Sequence, residues 1–304
     1  MISVIIPTLN GAGRIPALVD SLRNQTVKDF ELIVVDSESD DGTGRVAASL
    51  GCAVHTIARR EFDHGGARNL AAEKASGNIL VFLTQDALPA SPEFLMRLTA
   101  PIDGQITAAA YARQVPAPGA KPTEAFSRLY NYPPESSVRH ISCVERRTLK
   151  TFFFSNAASA VSRSCFESVG RFPAPVSTNE DMLLCARLLD AGYQVAYIAE
   201  AVVIHSHQFT MLDLFRRYFR MGVVIGQYHA QLHCEQNAEG GLDFVRKQIA
   251  HLRSLGRYDL IPGAAAEAGI KAMAFYCGYA RSKTGLLGNP ADSGDRQLNS
   301  TVVR

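Results

Sequence analysis

One aspartate lies where the end of a buried strand would present it to a ligand. The apolar run Ile79–Leu83 is typical of a strand buried on both faces, and Asp86 follows it in the segment Phe82–Pro89. Open α/β sheets bind their ligands beyond the carboxyl ends of their strands, so Asp86 is in position to be a metal ligand. The alternative is that Asp86 only ends the strand and has no chemical role.

Two further carboxylates, Glu180 and Asp181, stand at the start of a predicted helix. They precede the amphipathic run Met182–Leu189, so they fall in the first turn of a helix whose other face is core. A carboxylate in this position could act as a general base. The alternative is that both acids only complement the helix dipole, which is worth about 0.3–1 kcal/mol for each.

Polar side chains also end the first two strands of the chain. Pro7, Thr8 and Asn10 follow the first strand, and Asp36 ends the second. Both strands deliver these residues to the carboxyl edge of one sheet, where a base and a ribose could bind, and Asp36 could accept a hydrogen bond from a ring N–H of a pyrimidine. The alternative for Asp36 is a capping acid. Neither segment is a Gly-x-Gly-x-x-Gly fingerprint or a phosphate-binding P-loop, which argues against a dinucleotide enzyme and a kinase.

A glycine-rich segment, Glu61–Asn69, precedes another predicted helix. Gly65 and Gly66 allow a close backbone approach, and Arg68 falls in the first turn. Backbone N–H groups, the helix dipole and a guanidinium together suit a diphosphate. The alternative is an ordinary glycine turn with a surface arginine.

Two histidines, His205 and His207, come at the end of the last predicted strand. Alternation along an extended chain points both to one face, where at least one of them could meet Asp86 at a metal ion. The alternative is a histidine of the core with satisfied hydrogen bonds.

The composition is that of a globular protein without a nucleic-acid partner. The chain has 304 residues, 47% of them hydrophobic, and a formal net charge of +2, which is too small to indicate a polyanionic partner. Its six cysteines are scattered without metal-ligand spacing, which favours a reducing cytoplasm. The sequence shows neither a signal peptide nor an apolar run of the ~20 residues that a membrane span needs, so we expect a cytoplasmic protein.

Short β-branched runs alternate with helical patterns over the first part of the chain. This alternation predicts βαβ units, and hence an α/β fold with a mainly parallel sheet, right-handed crossovers and helices on both faces. The predicted strands are Ser3–Pro7, Glu31–Asp36, Ala53–Ile57 and Ile79–Leu83, and the predicted helices are Arg14–Gln25, Gly42–Leu50 and Gly66–Ala75.

The rest of the chain divides into a loop region, two strands and a helical part. Proline, glycine and polar residues predict a functional loop region at 112–149. Gln194–Ile198 and Ala201–His205 are predicted as two short strands. The sequence then predicts helices at 211–232, 241–255 and 262–283 and a disordered polar tail at 288–304.

Taken together, these segments resemble glycosyltransferase family 2, the inverting nucleotide-sugar transferases of the GT-A fold. The resemblance covers roughly residues 2–210 and is carried by Ser3–Asn10, Val34–Thr43, Phe82–Pro89 and Asn179–Asp181. The acidic metal motif of the family has two aspartates flanking one residue, whereas this chain has Thr84-Gln85-Asp86. The first carboxylate is therefore missing, which leaves Asp86, with His205, as the expected ligand set.

A narrower resemblance concerns the sugar. Glu61–Asn69, Leu83–Ala87 and Phe153–Ala157 look like bacterial rhamnosyltransferases that use dTDP-L-rhamnose to build surface polysaccharide. This implies transfer of L-rhamnose from that donor to a hydroxyl of a glycan or lipid-linked glycan. A family 2 transferase that uses a UDP-hexose or UDP-galactofuranose would share the nucleotide half of the site. A non-catalytic nucleotide-sugar-binding subunit is the alternative of another class, suggested by the missing aspartate.

The resemblance also implies roles for individual residues. Asp181 would be the base, with Glu180 beside it, and Asp86 and His205 would hold Mg²⁺ or Mn²⁺. Arg68 would bind the diphosphate. The residues expected to contact the nucleotide sugar are Pro7, Thr8, Asn10, Asp36, Arg68, Gln85 and Asp86.

By the same resemblance, residues 1–208 form a catalytic domain, with a nucleotide-sugar half at about 1–110 and an acceptor half at about 111–208. A helical region at 209–287 follows it.

A cationic cluster in that helical region is a candidate membrane contact. Arg216, Arg217 and Arg220 lie among aromatic residues and could rest on an anionic membrane surface near a lipid-linked acceptor. The alternative is a helix packed on the catalytic domain with its arginines solvated.

Overall fold

One sheet of nine strands organises the computed structural model, which describes residues 1–207, 209–233 and 239–284. The strands are β1 (Ile2–Thr8), β2 (Phe30–Asp36), β3 (Ala53–Thr56), β4 (Ile79–Leu83), β5 (Leu88–Pro89), β6 (Thr107–Val115), β7 (Ser137–Arg139), β8 (Ala158–Ser162) and β9 (Gln194–Ile204). Their order across the sheet is β3-β2-β1-β4-β8-β6-β9-β5, and β7 pairs with β9.

Helices pack on both faces of this sheet. They are α1 (Ile15–Arg23), α2 (Thr43–Ser49), α3 (His64–Lys74), α4 (Phe94–Thr99), α5 (Pro122–Asn131), α6 (Arg163–Ser168), α7 (Glu180–Asp190), α8 (Met211–Gln227), α9 (His229–Leu232), α10 (Glu239–Ser254) and α11 (Ile261–Lys283). The helices predicted from the sequence are confirmed, with their ends shifted by a few residues, except that the helix predicted at 211–232 is two helices, α8 and α9. The predicted tail at 288–304 lies outside the described residues. Within the described residues, no helix has both the length and the apolar character that crossing a bilayer requires.

The first half of the sheet is parallel, as the sequence predicts. β1 pairs in parallel with β2 and β4, and β2 pairs in parallel with β3. Beyond β4 the sheet is mixed, because β8 lies antiparallel between β4 and β6, and β5 and β7 are antiparallel to β9. The carboxyl ends of β1, β2 and β4 therefore meet the amino end of β8 at one edge of the sheet.

The central strands supply side chains to two apolar cores, one on either face of the sheet. Ile5 and Phe82 belong to one core, whereas Val4 and Val81 belong to the other. Successive side chains of a strand point to opposite faces, so a strand buried on both faces needs a nearly continuous apolar sequence. This is the pattern that identifies β1 and β4 in the sequence.

The prediction of a loop region at 112–149 is wrong for much of that segment. β6 continues to Val115, and α5 and β7 follow it. Pro122 stands at the start of α5, where its fixed φ suits the first helical turn, and Phe126 packs against Phe244 of α10. A proline that is taken as a loop signal in the sequence is thus a helix start.

The two short strands predicted at 194–198 and 201–205 are one continuous strand, β9. Its register against β6 shifts after Ile198. The exposed Glu200 lies in this irregular stretch, so the irregularity appears in the sequence as a break in the apolar pattern.

The C-terminal helices pack on the sheet and on each other. Ile225 of α8 belongs to the same apolar core as Leu80 and Phe82 of β4. α8 and α11 contact each other backbone to backbone. A Cβ atom on Gly222 would lie 2.0 Å from the carbonyl oxygen of Phe275, and one on Gly278 would lie 2.0 Å from that of Phe219. Only glycine allows so close an approach at these two positions.

Candidate active site

A two-residue strand brings Asp86 and the two histidines together. β5 lies antiparallel to the end of β9, with Leu88 opposite Ile204. Asp86 comes just before β5 and His205 just after β9, so the pairing sets the two residues side by side. The ring of His207 lies 4.4 Å from that of His205, measured between centroids.

The side chains of Asp86, His205 and His207 form a cluster that fits a divalent cation, which we call the ligand cluster. His205 Nε2 lies 3.5 Å from Asp86 Oδ1, and His207 Nδ1 lies 3.6 Å from Asp86 Oδ2. One candidate ligand atom of each residue lies within 4.8 Å of the other two. His205 Nε2 is buried and has no hydrogen-bond partner among the described residues, so its lone pair is available to a metal.

Gln114 fixes the orientation of His205. Its Oε1 atom lies 2.7 Å from His205 Nδ1, and a carbonyl oxygen only accepts, so Nδ1 carries the proton. Gln114 is itself held, because Arg128 donates to its Oε1 atom and its Nε2 atom donates to Ser155. A hydrogen bond on the far nitrogen is the usual way in which a protein orients a metal-binding histidine. Gln114 could not be recognised from the sequence, because a polar residue near the end of a strand carries no signal of its partner.

The protonation states of the cluster also suit a cation. Burial lowers the pKa of both histidines, to about 3 for His207, so both rings are neutral at neutral pH. Burial acts to raise the pKa of Asp86, but its interactions with the two histidines outweigh burial and hold that pKa well below its usual range. An ionised carboxylate and neutral imidazoles are the forms that bind a metal. The two histidines thus offer candidate ligand atoms where the acidic motif lacks its first aspartate.

The second acidic segment begins α7 and is held by Asn156. Asn156 donates its backbone N–H to Asp181 over 3.1 Å and its side-chain amide to Glu180 over 3.0 Å. Its own side-chain oxygen accepts from Ser159 over 2.9 Å. The two neighbouring carboxylates are therefore fixed in different orientations. Asn156 has no role predicted from the sequence, because its only signal is an amide that follows an apolar run.

Glu180 is paired with Arg68 in the interior. Arg68 Nη1 lies 3.3 Å from Glu180 Oε1 and donates to the carbonyl oxygen of His64 over 2.9 Å. Both charged side chains are buried. The structure therefore brings Arg68 to the start of α7, and its contact with a diphosphate stays a prediction.

The prediction that the start of α3 offers free N–H groups to a diphosphate is wrong. Asp63 caps α3 and accepts hydrogen bonds from Gly65 and Gly66, and also from Val176. A Cβ atom on Gly65 would lie 2.2 Å from the carbonyl oxygen of Pro173. The glycine at this position therefore permits contact between two parts of the protein.

The paired acids have opposite pKa shifts. Burial, and then the charge of Glu180, raises the pKa of Asp181 well above that of an ordinary aspartate. Burial acts to raise the pKa of Glu180 as well, but Arg68, His64 and Asn156 together lower it. Neighbouring carboxyls whose environments push their pKa values apart are typical of an acid–base site. Asp181, whose pKa is raised, is the one suited to take a proton near neutral pH.

Gln85 links the ends of β1 and β4. Thr8 donates its hydroxyl to Gln85 Oε1, which also accepts from the backbone N–H of Leu9 over 3.2 Å. Gln85 Nε2 donates to the carbonyl oxygen of Leu9 over 3.0 Å. Both Thr8 and Gln85 are buried, so Gln85 holds the first loop in place beside Asp86.

The other residues predicted to hold the nucleoside lie beside this link. Asp36 is buried at the end of β2 and accepts hydrogen bonds from the hydroxyl and the backbone N–H of Ser39. Ser39 Oγ in turn accepts from the backbone N–H of Asn10 over 2.8 Å. Asn10 is exposed and Pro7 is half-buried. The structure thus brings these residues to one edge of the sheet, and their contact with a nucleoside stays a prediction.

Known proteins with similar sequences match most of the chain. Residues 3–170 match the family model for Glycosyl transferase family 2. The O-antigen chain rhamnosyltransferase RfbN of Salmonella typhimurium is 38% identical over 258 residues, which are 83% of this chain and 81% of that protein. The O-antigen chain rhamnosyltransferase WbaN of Salmonella anatum is 35% identical over 257 residues, which are 82% of this chain and 80% of that protein.

Solved structures share the arrangement of elements. The mannosyltransferase PcManGT from Pyrobaculum calidifontis, in complex with GDP-Man and Mn²⁺, is similar with a TM-score of 0.59 and 21% identity, over 93% of this chain and 83% of that one. S. aureus TarS in complex with UDP is similar with a TM-score of 0.55 and 17% identity, over 93% of this chain and 91% of that one. At these identities the similarity shows the fold alone.

Proposed function

Because the chain belongs to glycosyltransferase family 2 and has a GT-A fold, we propose that it transfers L-rhamnose from dTDP-L-rhamnose to a hydroxyl of a glycan or lipid-linked glycan in the synthesis of a bacterial surface polysaccharide. The two O-antigen chain rhamnosyltransferases that match more than two thirds of the chain support the sugar. The observation that carries the mechanism is a carboxyl of raised pKa, Asp181, at the same edge of the sheet as the ligand cluster around Asp86.

The reaction in this proposal is a single displacement at the anomeric carbon, with inversion. Asp181 takes the proton from the acceptor hydroxyl while the hydroxyl oxygen forms a bond to the anomeric carbon. The bond from that carbon to the diphosphate oxygen breaks on the opposite face, and its electron pair leaves with dTDP. Asn156 keeps the base in position through the hydrogen bond from its backbone N–H.

Asp86, His205 and His207 would hold a divalent cation, Mg²⁺ or Mn²⁺. When bound, the cation supplies positive charge that stabilises the leaving diphosphate. Gln114 keeps the proton of His205 on Nδ1, so that Nε2 faces Asp86 with a free lone pair. The lowered pKa of both histidines keeps their rings neutral, which metal ligation requires.

The loops after β1 and β2 would hold the nucleoside. Thr8, Asn10 and Asp36 meet at the sheet edge, and Asp36 can accept a hydrogen bond from the ring N–H of thymine. Pro7 and Gln85 belong to the same proposed nucleoside site. Pro7 precedes Thr8 in the chain, and Gln85 accepts a hydrogen bond from Thr8. In this proposal residues of about 1–110 bind the donor and residues of about 111–208 bind the acceptor.

A UDP-sugar is the second candidate donor. The similar structure of TarS contains UDP, which shares a pyrimidine and a diphosphate with dTDP. A UDP-hexose or UDP-galactofuranose would therefore use the same loops and the same ligand cluster. A non-catalytic binding subunit is less favoured, because both the candidate base and a set of three ligand side chains are in place.

The proposal places the enzyme in the cytoplasm, where nucleotide sugars are made, with a peripheral contact to the membrane that carries a lipid-linked acceptor. Arg216, Arg217 and Arg220 on α8 are the residues proposed for that contact.

A panel of donors tests the proposed function. The purified protein with Mn²⁺ is mixed with dTDP-L-rhamnose, UDP-glucose, UDP-galactofuranose or GDP-mannose, and thermal stabilisation and donor turnover are measured for each. We expect the largest stabilisation and the fastest turnover with dTDP-L-rhamnose. Preference for a UDP-sugar would replace the donor. Absence of turnover with every donor and a lipid-linked acceptor would favour the binding subunit.

A further inference from the structure

Arg217 of α8 is connected to the ligand cluster through two aromatic contacts. Its guanidinium carbon is 5.5 Å from the centre of the Phe209 ring, and that ring lies 4.9 Å from the ring of His207. His207 in turn faces Asp86 over 3.6 Å. A continuous series of side-chain contacts therefore leads from the cluster to Arg217, which is exposed.

The charge of Arg217 also reaches the base side of the site. His64 stands at the start of α3, next to the Arg68–Glu180 pair. Burial is the main cause that lowers the pKa of His64, and the positive charge of Arg217 contributes to the lowering. Arg217 thus lies near the ligand cluster, beside which the leaving diphosphate of the proposed reaction must lie, and its charge also reaches His64.

Arg217 is available for a ligand, whereas Arg68 is engaged. Within the described part of the chain, Arg217 has no carboxylate in ion-pair contact, while Arg68 is buried against Glu180. If Arg68 turned to a ligand, Glu180 would remain as a buried charge without its ion-pair partner, which is strongly unfavourable. An exposed guanidinium has no such constraint, and it can donate two hydrogen bonds to phosphate oxygens.

We propose that Arg217, held over the ligand cluster by Phe209, binds the diphosphate of the nucleotide-sugar donor and stabilises it as the leaving group. This rests on the proposed function and assigns to Arg217 the contact that the sequence suggests for Arg68. It also separates Arg217 from the other arginines of its cluster, since its partner is a ligand of the site and not a membrane.

The test compares Arg217→Ala and Arg217→Lys with Arg216→Ala. Arg216 is the adjacent residue on α8 and lies about 100° around the helix, so its change removes the same charge from a different face. Binding of dTDP and of thymidine, both with Mn²⁺, is measured by calorimetry, and kcat and KM are measured with dTDP-L-rhamnose. Thermal denaturation verifies that each variant is folded.

A hydrogen bond to a charged group contributes about 1.5–3 kcal/mol, so we expect Arg217→Ala to weaken dTDP binding by about 10- to 150-fold and to leave thymidine binding unchanged. We expect kcat/KM to fall together with dTDP binding in Arg217→Ala, and Arg217→Lys to restore part of both. Arg216→Ala should bind dTDP and thymidine as the wild type does. Wild-type dTDP binding by Arg217→Ala, or equal losses for dTDP and thymidine, would overturn the assignment of Arg217. If the wild-type protein uses another nucleotide sugar, the proposed donor is wrong, and the assignment of Arg217 is then tested separately. The same variants are compared for binding of the nucleoside diphosphate of that donor and of its nucleoside.

Discussion

Arg68 Nη1 lies 3.3 Å from Glu180 Oε1, and the two side chains are 4% and 6% exposed. The pair joins α3 to α7 across the interior and fixes a negative charge next to Asp181. The pair thus influences the base, Asp181, through the charge that it holds beside it, and this needs no contact with a substrate.

Loss of Arg68 should destabilise the fold. Arg68→Met leaves Glu180 buried without its partner, so we expect the free energy of unfolding to fall by about 3–5 kcal/mol. Urea denaturation followed by circular dichroism measures the change. Arg257→Met, which removes an exposed ion pair with Asp259, is the control and should leave the midpoint almost unchanged. Similar midpoints for the two variants would show that the buried pair contributes little.

The pH dependence of transfer should report the raised pKa of Asp181. The base works only when ionised, so kcat/KM should fall as the pH drops through a pKa that burial and Glu180 hold above the ordinary range of an aspartate. Glu180→Gln removes the neighbouring negative charge, which lowers the pKa of Asp181 and moves the acid limb of the profile to lower pH. The measurement is kcat/KM between pH 4 and 9, roughly the range over which a shifted carboxyl titrates. An acid limb that stays in place, or moves to higher pH, contradicts the assignment.

Removal of the base should reduce transfer without preventing donor binding. Asp181→Asn keeps the size of the side chain but cannot take a proton, so single-turnover transfer should fall by roughly 10²–10⁴-fold while the affinity for dTDP-L-rhamnose is retained. Asp190→Asn at the other end of α7 is the matched control and should transfer at the wild-type rate. Near-wild-type transfer by Asp181→Asn, or a larger loss of rate in Glu180→Gln, would move the base elsewhere.

The ligand cluster should control metal dependence. Asp86→Ala should abolish Mn²⁺-dependent binding of dTDP and leave the fold nearly intact, because a carboxylate beyond the end of a strand adds little to the core. His205→Ala should raise the concentration of Mn²⁺ needed for half-maximal activity, since one of the ligands is lost. Calorimetric and activity titrations with Mn²⁺ measure both effects, with His55→Ala on β3 as the control. Full metal-dependent activity in Asp86→Ala would remove Asp86 from the ligand set.

The cationic cluster on α8 should bind anionic lipid through an electrostatic attraction that salt weakens. We expect the protein to sediment with vesicles that contain phosphatidylglycerol at low salt and to be released at high salt, because the attraction of exposed charges is screened over about 10 Å at 0.1 M. Replacement of Arg216 and Arg220 by Ser should remove this binding, whereas Arg217→Ala should leave most of it in place. Binding that persists in the double variant would place any membrane contact on another surface.

Residues at strand ends could be predicted from the sequence, but the residues that they contact could not. Asp86 and His205 could be predicted because apolar runs mark the strands before them. Their meeting depends on β5, which has only two residues and too little pattern to detect. The same limit applies to Arg68. Its position after two glycines predicts a phosphate contact, while its observed partner, Glu180, is far away in sequence and is found only when α3 and α7 pack together.

Buried polar residues were the least predictable part of the site. Asn156 and Gln114 each hold a residue that the sequence identifies, Asp181 in one case and His205 in the other. An asparagine or a glutamine at the edge of an apolar run has no period or spacing that reveals which side chain it will bind. Helix α5 was missed for a different reason, because the proline at its start is favourable both in a turn and in a first helical turn.

The backbone contact between α8 and α11 limits how such transferases can be recombined. Chimaeric enzymes are usually built by exchanging whole segments between parents, with crossover points chosen in loops. Gly222 and Gly278 set the spacing of the two helices, and α8 also carries Arg217. A crossover between α8 and α11 that introduced alanine at either glycine would push the helices apart and carry that arginine away from the ligand cluster. Parents should therefore exchange α8 and α11 as one unit, even when only the donor preference is to be changed.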